Sequence, residues 1–368
     1  MICSWDDVPY DVLEAFCKEA ATRPHPPSSS NSSRQQLVSE THKTLLALSL
    51  VDSRTREACY PHLFNKLTFM KTCSDKLPTW AAYDERMKHI ISNAAMCRAI
   101  RIFELASWIN DIENHRPTPA TYQLFPRFLA SLPLLHTLNF RLQDPFVPEM
   151  RSAFSDVLQT CGPLRQVKKL NIALSCHFLV QHCPNIREFE EKRLYRDEAV
   201  NAMTWVKPLG TFCVNLVGLS TWEPIGSVLL RSLLEYLPRL EALNLMGGVC
   251  FRGNVDPEDH GNTEGIMSLL PKLGKLQRLR KLILPDSSSL GIGIEVPICG
   301  NAFLEDPEYA AQWDREAEEA SARVSVGAQN HCLSVMELWV GYLYYERDQR
   351  GIISRSQKSS DDRVLGIC

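Results

Sequence analysis

Apolar residues along the chain follow two different periods. From Val8 to Ala20 the spacing is helical: Val8, Val12, Leu13, Phe16, Cys17 and Ala20 share one face. Pro9 sits where a first-turn proline is tolerated, and Asp11 and Glu14 suit the positive end of the helix dipole. A second helical run starts at Leu37 and Val38 and reaches Val51 through Leu45, Leu46, Leu48 and Leu50. Asp52 or Ser53 is placed to cap a short third helix. Pro61 is expected to end that helix near Tyr60, because a residue before proline is pushed out of the helical region. Between the first two runs, residues 22–36 (TRPHPPSSSNSSRQQ) form a Pro/Ser/Asn-rich linker that buries too little to fold. The stretch from Thr44 to Phe69 carries more leucine than so short a segment can cover by itself.

Beyond Lys76 the period changes. Trp80 to Met96 reads as helix, with Tyr83, Met87, Ile90, Ile91 and Ala94 on one side. A strand-like alternation, AIRIFELASW, follows. Short units of the form Leu/Pro-x-Leu-x-x-Leu-x-Leu then recur, as in LPLLHTLNFRLQD, PLRQVKKLNIAL, LPRLEALNLMGG and LGKLQRLRKLILPD. Ile102, Leu138, Leu170, Phe189, Leu219, Leu243, Leu282 and Leu338 are read as corresponding centres. The shorter intervals between them overlap the ~20–29 residues of leucine-rich repeats, and the longer ones require insertions. Helical stretches fall between the centres at 122–132, 150–158, 227–236 and 264–273. One such unit cannot bury its own leucines, but stacked neighbours bury them together.

The expected fold class is therefore α/β, an irregular leucine-rich-repeat-like solenoid over residues 73–345, with a small all-α module at 1–72. An ordinary doubly wound α/β sheet is the alternative, and it accounts less well for the recurring leucine phrase. The largest break, 285–332, holds a Gly/Ser stretch and an acidic helix candidate at 306–322, and is read as an insertion on a binding face. Tyrosine-dense GYLYYERD is placed to cap the last unit, and the polar tail at 346–368 is expected to fray.

The N-terminal residues resemble a known family. Val8-Pro9, then Asp11-Val12-Leu13, then LLALSLVDSRTREACYPHLFNKLTF are similar to the F-box motif as fungal F-box proteins carry it, over Trp5 to Phe69. Thr55 stands where that motif usually has an aromatic, and Asp52 where a small residue is common. The resemblance implies that Val8, Pro9, Val12, Leu13, Leu45, Leu46, Leu48, Leu50, Val51, Pro61, Leu63 and Phe64 dock on a Skp-family adaptor. It further implies a substrate-recognition subunit of an SCF-type (Skp-cullin-F-box) E3 ubiquitin ligase, joined through the adaptor to a cullin-RING ligase. Such a receptor needs no catalytic residues and no cofactor; its protein substrate is not named by the sequence. A repeat scaffold with a degenerate F-box and no ligase role is the second reading, and an enzyme using a loop site near His260 or 285–332 is the third.

Composition narrows the partners. A net charge of -3 gives no reason to expect nucleic acid or an anionic membrane. No apolar run approaches the ~18 residues of a membrane span. MICSWDDVPYD lacks the basic start of a secretory signal, so a cytoplasmic or nuclear location is expected. The 13 cysteines are scattered without a C-x-x-C, which suits buried free thiols.

Candidate chemistry is sparse. Gly291-x-Gly293-x-x-Val296 lacks the third glycine of a dinucleotide fingerprint. Cys176, His177, His182 and Cys183 lie close together but match no zinc spacing and are read as structural. The acidic run 314–319 after Trp313 is read as a solvated helix face. Lys168, Lys169, Arg278, Arg280 and Lys281 flank repeat strands and either read a substrate or only keep the surface soluble.

Overall fold

The structure is a computed structural model that describes residues 8–22, 43–71, 79–107, 116–192, 203–249, 265–292 and 307–358. The protein is α/β, and its chain divides into two compact units, Met1–Val167 and Lys168–Cys368. In both, strands follow one another across the sheet in chain order. Among the described residues no helix is long and apolar enough to cross a membrane.

The first unit opens with three helices: α1 (Tyr10–Thr22), α2 (43–49) and α3 (Ser53–Leu63). Leu37, Val38 and nearly all of the 22–36 linker lie outside the described residues. Asp52 caps α3. Its carboxylate accepts the backbone N–H of Thr55 at 2.8 Å and the Thr55 hydroxyl at 2.6 Å. Contrary to expectation, Pro61 does not end α3 at Tyr60; the helix runs to Leu63, and the Tyr60 carbonyl accepts the Phe64 N–H at 2.9 Å. Proline costs the helix one hydrogen bond there, but Tyr60 stays helical because the last turn packs Leu63 onto the three-helix core.

After α3 the chain enters a parallel sheet of β1 (Lys66–Lys71), β2 (Ile102–Ser107) and β3 (Thr137–Arg141). Helices α4 (Trp80–Ile91), α5 (Ala94–Ala99), α6 (Pro119–Ala130) and α7 (Val147–Cys161) complete the unit. The single helix expected over 80–96 is two. Asn93 stops α4 and caps α5, its side-chain oxygen accepting the N–H groups of Ala95 and Met96, both at 3.1 Å. Tyr83, Met87 and Ile90 are buried as expected, whereas Ile91 and Ala94 face outward. Phe69 of β1 stacks on Tyr83 at 4.5 Å and meets Phe103 edge-on at 5.4 Å, so β1 belongs to the sheet and not to the helical module alone. The register corrects one centre: Leu67, Phe103 and Leu138 align, so the second strand's inward residue is Phe103, not Ile102.

The second unit runs β4 (Lys169–Ile172), β5 (Glu188–Glu191), α8 (Met203–Phe212), β6 (Gly218–Thr221), α9 (Ser227–Tyr236), β7 (Ala242–Leu245), α10 (Ile266–Leu273), β8 (Lys281–Leu284), α11 (Pro307–His331) and β9 (Glu337–Val340). Strands β4 to β9 are parallel. Leu170, Phe189, Leu219, Leu243, Leu282 and Leu338 fall in one cross-strand row, all fully buried, as their spacing predicts. Between β4 and β5 a 3-10 segment, Leu174–His182, replaces a helix, which is why that interval is the shortest. The expected insertion at 285–332 is largely a crossover like the others. Its acidic helix extends to 25 residues as α11 and packs on α10, with Gly327 against Leu270 and Met267. Nor does the chain fray at Asp348: β10 (Leu343–Arg347) and β11 (Ile353–Ser356) add to β9 antiparallel. Arg347, expected at the start of a loose tail, is buried and hydrogen-bonded to five backbone carbonyls.

Candidate interaction surfaces

The three N-terminal helices share a very small core. Leu13, Cys17, Leu45, Ala58 and Cys59 are buried together, and Val8, Ala20, Ala21, Leu48 and Leu63 pack against them. The Cys17 and Cys59 sulfurs lie 3.5 Å apart as free thiols. Burial, with the hydrogen bond that Cys59 shares with Cys17, pushes the Cys59 thiol up to about 12. Arg54 ties α3 to the chain start through the Val8 carbonyl at 2.9 Å, and Arg56 ties it to the Ser49 carbonyl at 3.0 Å.

The residues expected to dock a partner therefore separate into two groups. Leu13 and Leu45 are core, with Val8, Leu48 and Leu63 packed on it. Pro9, Val12, Leu46, Leu50, Val51 and Pro61 are exposed, and Phe64 is half-buried against Tyr60 at a ring distance of 5.3 Å. Leu50 is 76% exposed and Val51 57%. Val12 and Phe16 form an exposed pair one turn apart on α1, as do Leu46 and Leu50 at the end of α2. Phe16, at 52% exposure, belongs with these residues although the sequence assigned it no docking role; it lies four residues after Val12 on the same helix.

A second surface is the strand face opposite the buried leucine row in the second unit. Residues alternate across a strand, so the neighbours of each buried leucine point to this side. A groove of about 650 Å³ crosses it, with Ser220 and Asn244 on the floor and Trp222, Met246, Asp286 and Tyr342 along the strand ends. The Asn244 amide donates to the Ser220 hydroxyl at 3.1 Å. Glu191 positions the groove rim: one carboxylate oxygen accepts the Thr221 hydroxyl at 2.6 Å and the Trp222 N–H at 2.8 Å. Sequence reading gave Glu191 no role, although a carboxylate two residues after Phe189, in an inward position, was the available sign. Asp286 closes the turn after β8, accepting the Ser289 N–H at 3.0 Å and the Ser288 and Ser289 hydroxyls. Partial burial raises its pKa, but these hydrogen bonds outweigh that effect and hold the carboxyl below its ordinary range.

The flanking cations divide between two edges. Lys169 pairs with Glu188 at 2.9 Å and Lys281 with Glu337 at 3.9 Å on the open face. Lys168, Arg278 and Arg280 stand instead in the turns that precede the strands. Cys176 and Cys183 are buried thiols, and the His177 ring bonds the Leu174 carbonyl at 2.9 Å. Among the described residues no cluster of His, Cys, Asp or Glu is arranged to hold a metal ion. Gly291 adopts φ 69° in a turn, whereas Gly293, Val296 and His260 lie outside the described residues. The acidic run 314–319 lies on α11, where Glu318 bonds Arg355 at 3.0 Å. Neither a protein-family model nor a curated protein matches the chain.

Proposed function

We propose that the chain is the substrate-recognition subunit of an SCF-type ubiquitin ligase. In this reading α1 to α3 are an F-box-like module that docks on a Skp-family adaptor. The strand–helix units form an irregular leucine-rich-repeat-like solenoid that holds a protein substrate. The receptor contributes proximity: it raises the effective concentration of a target lysine near the ubiquitin-loaded enzyme and breaks no bond itself.

The observation that carries the proposal is the exposure of Val12 and Phe16 on α1 and of Leu46, Leu50 and Val51 at the end of α2, on helices with so small a core. Apolar side chains grouped on a helix face and left exposed are candidates for an interaction site. Fully burying an exposed leucine side chain contributes about 1.5–3 kcal/mol, so covering these residues would favour docking, against the cost of association. The groove bearing Trp222 and Tyr342 supplies a separate surface for a substrate.

One observation favours the repeat-scaffold reading. Thr55, at the position where the F-box motif usually has an aromatic, is buried and bonded inward to Asp52, so it offers a partner nothing. A pull-down of the purified chain with its host's Skp-family adaptor separates the two readings. The control is Leu46→Asp with Leu50→Asp, which leaves the core residues Leu13 and Leu45 intact. Binding by the parent that is lost in a variant with unchanged circular dichroism supports the ligase reading. No binding by the parent at micromolar concentration removes it and leaves the scaffold.

A further inference from the structure

The turns that lead into β4 to β8 are stacked by their backbones. The Arg187 N–H donates to the Lys168 carbonyl at 2.7 Å, Val217 to Arg187 at 2.9 Å, Glu241 to Val217 at 2.8 Å and Arg280 to Glu241 at 2.7 Å. Side chains from successive turns are thereby set about 4.8 Å apart, the spacing of paired strands. A shallow basin of about 400 Å³ lies along this edge, with Lys168, Arg187, Arg239 and Arg278 in its lining together with the amides of Asn185 and Asn215. No carboxylate lines it; Glu241, in the same stack, lies outside.

Pairing sets these four cations apart from those on the strands. Lys169, Lys192 and Lys281 each meet a glutamate on the open face, and in the first unit Lys66 and Arg141 both meet Glu104. Among the described residues none of Lys168, Arg187, Arg239 and Arg278 has an acidic partner. Four like charges in one basin, with Glu241 of the stack outside its lining, favour an anionic ligand.

We infer that this edge binds an extended protein segment rich in Asp and Glu. From β4 to β8 the strip covers four strand spacings, about 19 Å, which is about six residues of extended chain. Its cations are spread along that length, whereas a single phosphate requires donors that converge on one point. The stacked N–H groups are already bonded to the preceding turn, so they build no anion nest. The basin has no aromatic lining on which nucleic-acid bases could stack. Guanidinium groups at separate positions match separate carboxylates in bidentate geometry.

The inference rests on the receptor reading only in that it names the kind of segment the second unit would take. Direct binding to the full chain, without adaptor, tests it separately. The probe is fluorescein-labelled hexaglutamate, followed by anisotropy at low salt. Parent chain should bind it and should not bind hexaglutamine. Arg239→Glu with Arg278→Glu should weaken binding at least about tenfold, while Arg239→Lys with Arg278→Lys should keep most of it. The charge-reversed variant should treat the adaptor as the parent does and keep its circular dichroism. Failure of the parent to bind hexaglutamate, equal binding of hexaglutamine, or unchanged affinity after charge reversal overturns the inference. So does a singly phosphorylated serine peptide or an oligouridine that binds more than about tenfold tighter at the same salt.

Discussion

Replacing Arg347 by Met removes a buried charge while keeping a stem of similar length. The guanidinium bonds the carbonyls of Val335 at 2.8 Å, Gly351 at 2.7 Å and Cys332 at 3.1 Å, and those of Ala328 and Gln329 at 3.4 Å. Ala328 and Gln329 belong to the last turn of α11, where the Ala328 carbonyl also accepts the Cys332 N–H at 2.8 Å. Arg347 therefore holds the negative end of a 25-residue helix to the closing hairpin. A bond from a charged donor is worth about 1.5–3 kcal/mol, but these bonds share one side chain and are not additive. Loss of the three shorter bonds should cost about 3–5 kcal/mol, because the Val335 and Gly351 carbonyls lose the guanidinium while the Cys332 carbonyl keeps only the Val335 N–H at 3.0 Å, offset in part by the desolvation that arginine no longer suffers. A chain of two units is not expected to unfold in one step, so the readout is amide hydrogen exchange in the last turn of α11 and in β9 to β11. Protection there should fall by about 10²–10³-fold, while amides of β1 to β3 stay as they are. Arg347→Lys, which keeps the charge but reaches fewer carbonyls, should fall between. Protection in Arg347→Met within about threefold of the parent would refute the reasoning, since it would mean the carbonyls are satisfied without the guanidinium.

Leu243→Ala in the buried row should destabilise the second unit by about 2–5 kcal/mol, whereas Val326→Ala on the exposed side of α11 should stay within about 0.5 kcal/mol; equal denaturation midpoints for the two would contradict the assigned register. Gly274→Ala should be costly without any strain in φ, because a Cβ there would lie 1.9 Å from the His331 carbonyl oxygen; thermal melting that matches the parent would show that the ends of α10 and α11 separate freely. The raised Cys59 thiol contributes stability fully present below about pH 8.5 and lost as pH climbs toward 12, so the N-terminal helices should loosen first in alkali, as seen by hydrogen exchange; unchanged protection of α1 and α3 at pH 10.5 would count against it. At pH 8, iodoacetamide should modify Cys161 well before any other described cysteine, as peptide mapping can check.

The buried leucine row was legible because Leu-x-x-Leu-x-Leu repeats with a strand's period, and each unit exposes the same side to the same neighbours. The slip to Ile102 arose where Ile102 and Phe103 are adjacent and both apolar, so parity alone does not tell which one turns inward; the β1 partner Leu67 decides it. Sequence order alone assigns β1 to the helical module, because Leu67 and Phe69 follow it directly, and only pairing with β2 reveals their other allegiance. Among the N-terminal leucines, consecutive Leu45 and Leu46 look alike in sequence, yet one is buried and the other exposed. The groove was not legible at all. Trp222, Met246, Asp286 and Tyr342 come from the ends of different strands, and no local period links them. The Glu191 support also required knowing that β5 pairs with β6.

The antiparallel hairpin at β10 and β11 fixes how this architecture can vary in length. A parallel unit joins the stack by pairing with a free strand edge, and β10 occupies the outer edge of β9. Further strand–helix copies can thus be gained or lost among β4 to β9, each bringing its own crossover, but not beyond β9 without dismantling the hairpin. The final edge is also a poor template for a second molecule, since Ser354, Arg355 and Ser356 of β11 are all exposed and polar. Duplication can lengthen the interior of this array, while the hairpin keeps its copies from growing end to end into a fibre.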